Sequence, residues 1–179
     1  VSAGALVTGG LDFDGVDDWL ETASAPMSVD ELVSVYSVAT FTTTTGRHRL
    51  VSDFLNTGSG FTGFDVQIGP GGSALDFVGY GDGTVTLRRQ AGVSDITTGN
   101  EELYSVQLAS GTSDLYINSD LKTTRDSTSM ISGDTLKIGG TNTTVAMDGN
   151  IQEIIVYNSD QSANRVGIET NINDYYSIY

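Results

Sequence analysis

Polar and apolar residues alternate with period two in short stretches along most of this chain. In Phe64-Asp65-Val66-Gln67-Ile68 the apolar side chains point one way and the polar ones the other. Thr84-Val85-Thr86-Leu87-Arg88 and Leu136-Lys137-Ile138 repeat the pattern. Val33, Val35, Ala39 and Phe41 share one face of a longer segment that Ser37 interrupts. Further strands are expected near 10–14, 17–22, 49–55, 74–80, 102–109, 113–118 and 150–157. The gaps hold GSG, PGG, GDG, SGT and SGD, which supply positive φ values or Asx turns. No linker, charge block or internal repeat divides the sequence. The pattern predicts a single all-β domain over 1–179, a two-sheet antiparallel sandwich.

The period changes after Tyr157. Ile168, Ile172, Tyr175 and Tyr179 fall at i, i+4, i+7 and i+11, the spacing of one helical face. A C-terminal helix is expected over about 160–177, with Ser159 or Asp160 as its N-cap. Gly167 inside it should cost about 1 kcal/mol relative to Ala. The Ile/Tyr stripe should dock on the sandwich or meet another chain.

Composition narrows the function. With 23 acidic and 8 basic residues the formal charge is -15, which repels phosphate backbones and argues against nucleic-acid binding. The same surface could attract divalent cations. No cysteine is present, so disulfides and thiolate chemistry are excluded. No stretch approaches the ~20 apolar residues of a membrane-spanning helix. The chain opens without Met or a signal-like segment, as a trimmed or excised piece would.

Three segments carry a family likeness. Gly10-Leu11-Asp12-Phe13-Asp14-Gly15-Val16-Asp17-Asp18-Trp19-Leu20 resembles the FDG-x-DD-aromatic opening of laminin-G-like, concanavalin A-like jelly rolls. Asp114-Leu115-Tyr116-Ile117-Asn118 resembles their L-Y-(V/I)-N-G strand and turn, with Ser119 where glycine is usual. Leu136-Lys137-Ile138-Gly139-Gly140 followed by Asp148-Gly149-Asn150-Ile151-Gln152-Glu153-Ile154 resembles their IGG and G-x-I-x-E closing strands. The likeness implies a jelly-roll sandwich. The tail from Tyr157 to Asn173 is similar to tails of bacteriophage virion proteins that carry this module. That similarity implies a non-catalytic capsid decoration or tail-fibre domain, on a virion or an extracellular surface. Its partners would be other virion proteins, cell-surface glycans or further copies of the chain. The alternatives are an ancillary carbohydrate-binding or adhesin domain of a bacterial surface or secreted protein, and a degenerate glycoside hydrolase.

No catalytic residue is assigned. Retaining glycosidases place two carboxyl groups about 5–5.5 Å apart, commonly through a Glu-x-Asp-x-x-Glu strand, and no such run occurs. Glu101 and Glu102 are adjacent and would face opposite sides of a strand. His48 is the sole histidine, expected at a solvated loop or strand end. For a metal, Asp12, Asp14, Asp17 and Asp18 gather hard oxygen ligands around the Gly15 turn, and Asp148 joins them if the first and last strands pair. Ca²⁺ is the cation such a set suits; the other reading is that these acids solvate the turn. For a glycan, Tyr80 before Gly81-Asp82-Gly83 is the best-placed aromatic, with Asp82 and Arg88 as hydrogen-bonding neighbours. For protein partners, Arg47 and Arg49 flank His48 in the one basic cluster, and Ile168, Ile172, Tyr175 and Tyr179 form the apolar stripe.

Overall fold

The computed structural model describes residues 5–7, 9–26, 32–53, 55–56, 61–69, 74–81, 84–92, 95–108, 113–125, 135–141 and 145–179. For 5–7, 55–56, 61–62, 74–81, 84–92, 108, 113 and 125 the backbone alone is described. The strands are β1 (Ala5–Val7), β2 (Gly10–Asp14), β3 (Leu20–Glu21), β4 (Ser34–Phe41), β5 (His48–Ser52), β6 (Leu55–Asn56) and β7 (Phe61–Ile68). They continue with β8 (Ala74–Gly81), β9 (Thr84–Gly92), β10 (Glu102–Leu108), β11 (Ser113–Ile117), β12 (Asp120–Arg125), β13 (Lys137–Ile138) and β14 (Asp148–Tyr157). One helix, α1 (Arg165–Tyr176), follows.

The strands form two antiparallel sheets, ordered β1-β2-β14-β4-β10-β11-β12 and β3-β13-β5-β7-β8-β9, with β6 against β7. The last strand lies between β2 and β4, so chain start and chain end meet in one sheet. Alternation puts Val35, Ala39 and Phe41 of β4, Phe64, Val66 and Ile68 of β7, Tyr104 and Val106 of β10, and Leu115 and Ile117 of β11 into the core between the sheets. This is the interior that the period-two pattern predicts.

The outward side of β4 is also buried. Tyr36 and Val38 join Leu103 of β10 and Ile172 of α1 in a second apolar cluster, flanked by Ile155, Tyr157, Ile168 and Tyr176. Helix α1 therefore lies across the outside of the first sheet. Burying a side chain such as Ile172 stabilises by roughly 1.5–3 kcal/mol.

The helix starts later than the sequence suggests. Its N-cap is Asn164, without a side-chain cap, and neither Ser159 nor Asp160 fills that role. Asp160 Oδ1 instead accepts from the Ser162 N–H at 2.8 Å in an Asx turn. The connection is pinned to β4, where Ser34 Oγ donates to the Ser159 carbonyl at 3.2 Å and accepts from the Gln161 N–H at 2.9 Å. At the far end Ser177 is left-handed and its N–H donates to the Asn173 carbonyl at 2.7 Å. Asn173 Oδ1 then accepts from the N–H groups of Ile178 and Tyr179.

Glycine does specific work in the closing motif. Gly139 has φ +77, and a Cβ on it would collide with the Phe13 ring in the core. Its N–H donates to Leu50 and its carbonyl accepts from Met147, which ties β13 to the approach of β14. Gly139→Ala should therefore cost about 2–4 kcal/mol, combining positive-φ strain with overpacking. Denaturant unfolding monitored by far-ultraviolet circular dichroism measures the loss.

Candidate functional site

The acidic loop assembles in part. Asp14, Asp17 and Asp18 each place one carboxylate oxygen within 4.8 Å of the others. Asp14 Oδ1 also accepts from the Val16 N–H at 2.8 Å, the Asx turn that the Gly15 motif implies. Asp148 stands directly opposite Asp14 in the ladder because β2 and β14 pair, though it is outside the three-oxygen group. Asp12 pairs with Asn150 further along the strand and is likewise outside it.

The basic cluster is not the surface its sequence suggests. Arg49 is 4% exposed, and its Nε and Nη2 donate to the two carboxylate oxygens of Asp65, each at 2.5 Å. Nη1 donates to Thr141 Oγ1 at 2.6 Å. A guanidinium fixed in this way is a structural clamp, so Arg49, expected at an interface, is buried within the fold, while Arg47 is half-buried. His48 is at a strand end as expected, yet buried rather than solvated. Its Nε2 lies 2.9 Å from the Thr45 carbonyl oxygen and its Nδ1 lies 3.1 Å from that of Ala146, so the ring stitches two turns together. Glu102 is buried too, accepting from the Tyr104 hydroxyl at 2.8 Å and the Thr97 N–H at 3.1 Å.

Two of the three expected glycan residues, Tyr80 and Arg88, sit in the second sheet. Tyr80 pairs with Gly63 and Val85, and Arg88 pairs with Val78, so both belong to the β7-β8-β9 ladder. Asp82 lies outside the described residues, and of Tyr80 and Arg88 only the backbone is described.

The expected helical stripe is divided. Ile172 is buried and Ile168 half-buried against the sheet, as docking requires. Tyr175 is 81% exposed and Tyr179, beyond the helix end, is 51% exposed. The docked face runs instead through Arg165, Ile168, Glu169, Ile172 and Tyr176, with Ile168, Ile172 and Tyr176 at i, i+4 and i+8. Arg165 pairs with Glu169 and places its guanidinium 3.9 Å from the Tyr116 ring centroid. Ser119 Oγ donates to Glu169 Oε2 at 2.7 Å and lies 2.5 Å from the Tyr179 hydroxyl. Asn118 and Ser119 both have positive φ, the two-residue hairpin turn in which glycine is favoured. Serine there accepts backbone strain and gains a tie to the helix.

A groove that the sequence analysis did not anticipate opens between β14 and the other flank of α1. One lobe of about 510 Å³ is lined by Glu153, Tyr157, Asn164, Gly167 and Asn171, over a floor of Ile155, Ile168 and Ile172. A second lobe of about 350 Å³ shares Glu153, Asn171 and Ile172 and adds Tyr175 and Tyr176. The two tyrosine rings meet edge to face at 4.7 Å, and Tyr157 meets Tyr36 edge to face at 6.1 Å. Burial and the neighbouring Glu153 carboxylate both raise the Tyr176 hydroxyl above its ordinary range. The available signal was the outward apolar pair Tyr36 and Val38, which requires a cover and hence a helix–sheet seam.

No protein-family model matches the chain, and no curated protein matches it. Solved structures do. The CBM40 of the Ruminococcus gnavus IT-sialidase, solved bound to alpha2,3-sialyllactose, superposes with a TM-score of 0.72 at 14% identity, covering 90% of this chain and 97% of that one. Domain 4 of AbnA, a GH43 extracellular arabinanase from Geobacillus stearothermophilus in complex with arabinotriose, gives 0.68 at 14% identity, over 93% and 79%. A native heptameric SAP-like pentraxin from Limulus polyphemus gives 0.61 at 13% identity, over 87% and 78%. The fold is a β-sandwich jelly roll. At these identities the likeness is one of architecture, in agreement with the concanavalin A-like expectation, and none of these three is a virion protein.

The seam between helix and sheet has a pH signature. Burial pushes the Tyr36 hydroxyl from 10.0 up to about 12, against the pull of the Gln107 side chain. The folded state thus keeps a proton that the unfolded chain releases. Its stabilising contribution is intact below pH 10 and is lost as pH rises toward 12. Denaturant midpoints should fall across that window, and Tyr36→Phe should fall less steeply.

Proposed function

We propose that this chain is a non-catalytic carbohydrate-binding module whose ligand lies in the groove between β14 and α1. The observation that carries the reading is the lining. Tyrosine rings on two sides and the amides of Asn164 and Asn171 surround an apolar floor, the combination that sugars use for stacking and hydroxyl recognition. Asn171 and Tyr175 are exposed, so a ligand reaches them without rearrangement of the sandwich. Gly167 supports the same site: a Cβ there would meet nothing within 4 Å, so packing does not demand glycine, and its bare backbone widens the groove. Sugar ligands in two of the structural neighbours make this reading the natural one for the frame. A virion setting rests on the tail resemblance alone, and the binding role is independent of it.

Glycan-array binding followed by calorimetric titration tests the proposal. Tyr175→Ala and Asn171→Ala should each weaken binding about tenfold while leaving the fold intact, since both side chains are exposed. Gly167→Ala is the sharper variant: it should stabilise the helix by about 1 kcal/mol and weaken binding by narrowing the groove. If Tyr80→Ala abolishes binding and these three do not, the ligand sits on the second sheet, as the sequence suggests.

The opening loop is the place for a cation in such a module, with Asp14, Asp17 and Asp18 as ligands and Asp148 beside them. Millimolar Ca²⁺ should raise the melting temperature relative to NaCl of matched ionic strength, because only the native state gathers these oxygens. Asp17→Asn should remove the rise and Asp95→Asn should keep it; no rise in the parent chain assigns the acids to turn solvation.

A further inference from the structure

We infer that the groove takes neutral oligosaccharides and discriminates against acidic ones, an inference that rests on the glycan-binding reading of that groove. Its charge inventory is one-sided. Glu153 lines both lobes and has no cation within salt-bridge distance among the described residues. No Lys, Arg or His lines either lobe among the described residues. The nearest cation on the helix, Arg165, is committed to Glu169 and to the Tyr116 ring, away from the lining. Glu101 adds a second negative charge close enough to act on Tyr176. The chain as a whole carries -15.

A sugar carboxylate or sulfate entering this groove would meet Glu153 with no counter-charge. A like charge a few ångströms away weakens binding, and the penalty is screened by salt. A neutral sugar meets the same carboxylate as a strong acceptor for a pair of hydroxyl groups. Glu153 thus serves recognition of hydroxyls and rejection of anions at once, with repulsion supplying much of the specificity. An acidic sugar such as the sialyllactose bound by the jelly roll of the same architecture would therefore be disfavoured here.

The test uses the whole chain on an array of neutral oligosaccharides printed beside their sialylated counterparts. The tightest neutral binder and its sialylated form are then titrated at low ionic strength and in 0.5 M NaCl. At low salt the neutral form should bind about tenfold or more tightly, and the ratio should shrink in high salt. Glu153→Gln should narrow the ratio about threefold even if it weakens both affinities. Sialylated forms that bind as tightly as their neutral cores would overturn the inference and leave the module reading standing. A ratio that neither salt nor Glu153→Gln alters would also overturn it. Absence of binding to every oligosaccharide removes the module reading, and this inference with it.

Discussion

Tyr36 and Val38 face outward from a central strand, and an apolar outward face must be covered. This constraint organises the C-terminal third of the molecule. β4 is flanked by β14 and β10, so its outer row cannot be hidden at an edge. The chain meets the demand with α1, which brings Ile168, Ile172 and Tyr176 over Tyr36, Val38 and Leu103. A straight helix is narrower than the sheet it covers, since helices are about 10 Å across and strands repeat every 4.8 Å or so. One flank of α1 is sealed by polar ties to the Asn118-Ser119 hairpin and Tyr116. The other flank stands over β14 without such ties among the described residues, and there the seam stays open as the groove.

Much of this frame could be read from the chain. Alternation in Phe64–Ile68 and in Val33–Phe41 places the inter-sheet core correctly, because a two-residue period sends alternate side chains to the same face of the sheet. The FDG turn, the IGG turn and the G-x-I-x-E strand occupy one neighbourhood: β2 pairs with β14, and β13 lies beneath Phe13 through Gly139. Their common reason is backbone approach that a Cβ would block, which a local motif can record.

What could not be read are contacts between residues distant in sequence. Arg49 looks like one member of a basic triplet, but strand pairing sets β5 beside β7 and hands its guanidinium to Asp65. The same pairing draws His48 inward. The helical stripe divides in its last turn: i+7 and i+8 from Ile168 both fit an amphipathic pattern, and it is Tyr176 that packs with the Tyr36 cluster while Tyr175 stays exposed. The groove is harder still. Glu153 is on a strand, Asn164 is a helix cap and Asn171 and Tyr175 are solvent-facing helix positions, so no motif joins them before the helix is docked. The acidic loop was more legible because Asp14, Asp17 and Asp18 lie within a few residues of each other.

The open flank of α1 is also where local helix rules are broken. Asn164 caps the helix without a side-chain cap bond, Gly167 occupies an interior position, and Asn171 is a weak helix former. The sealed flank is different: Arg165 and Glu169 make the i, i+4 pair that suits a helix. The two flanks belong to the same twelve residues, so overall instability does not explain the contrast. A stretch optimised for helix formation alone would place alanine, leucine or glutamate at the weak positions, since nothing packs against Gly167 and solvent reaches Asn171. A glycine at an interior helix position where packing does not call for one marks a position set by something other than helix stability. That position lines the groove between α1 and β14.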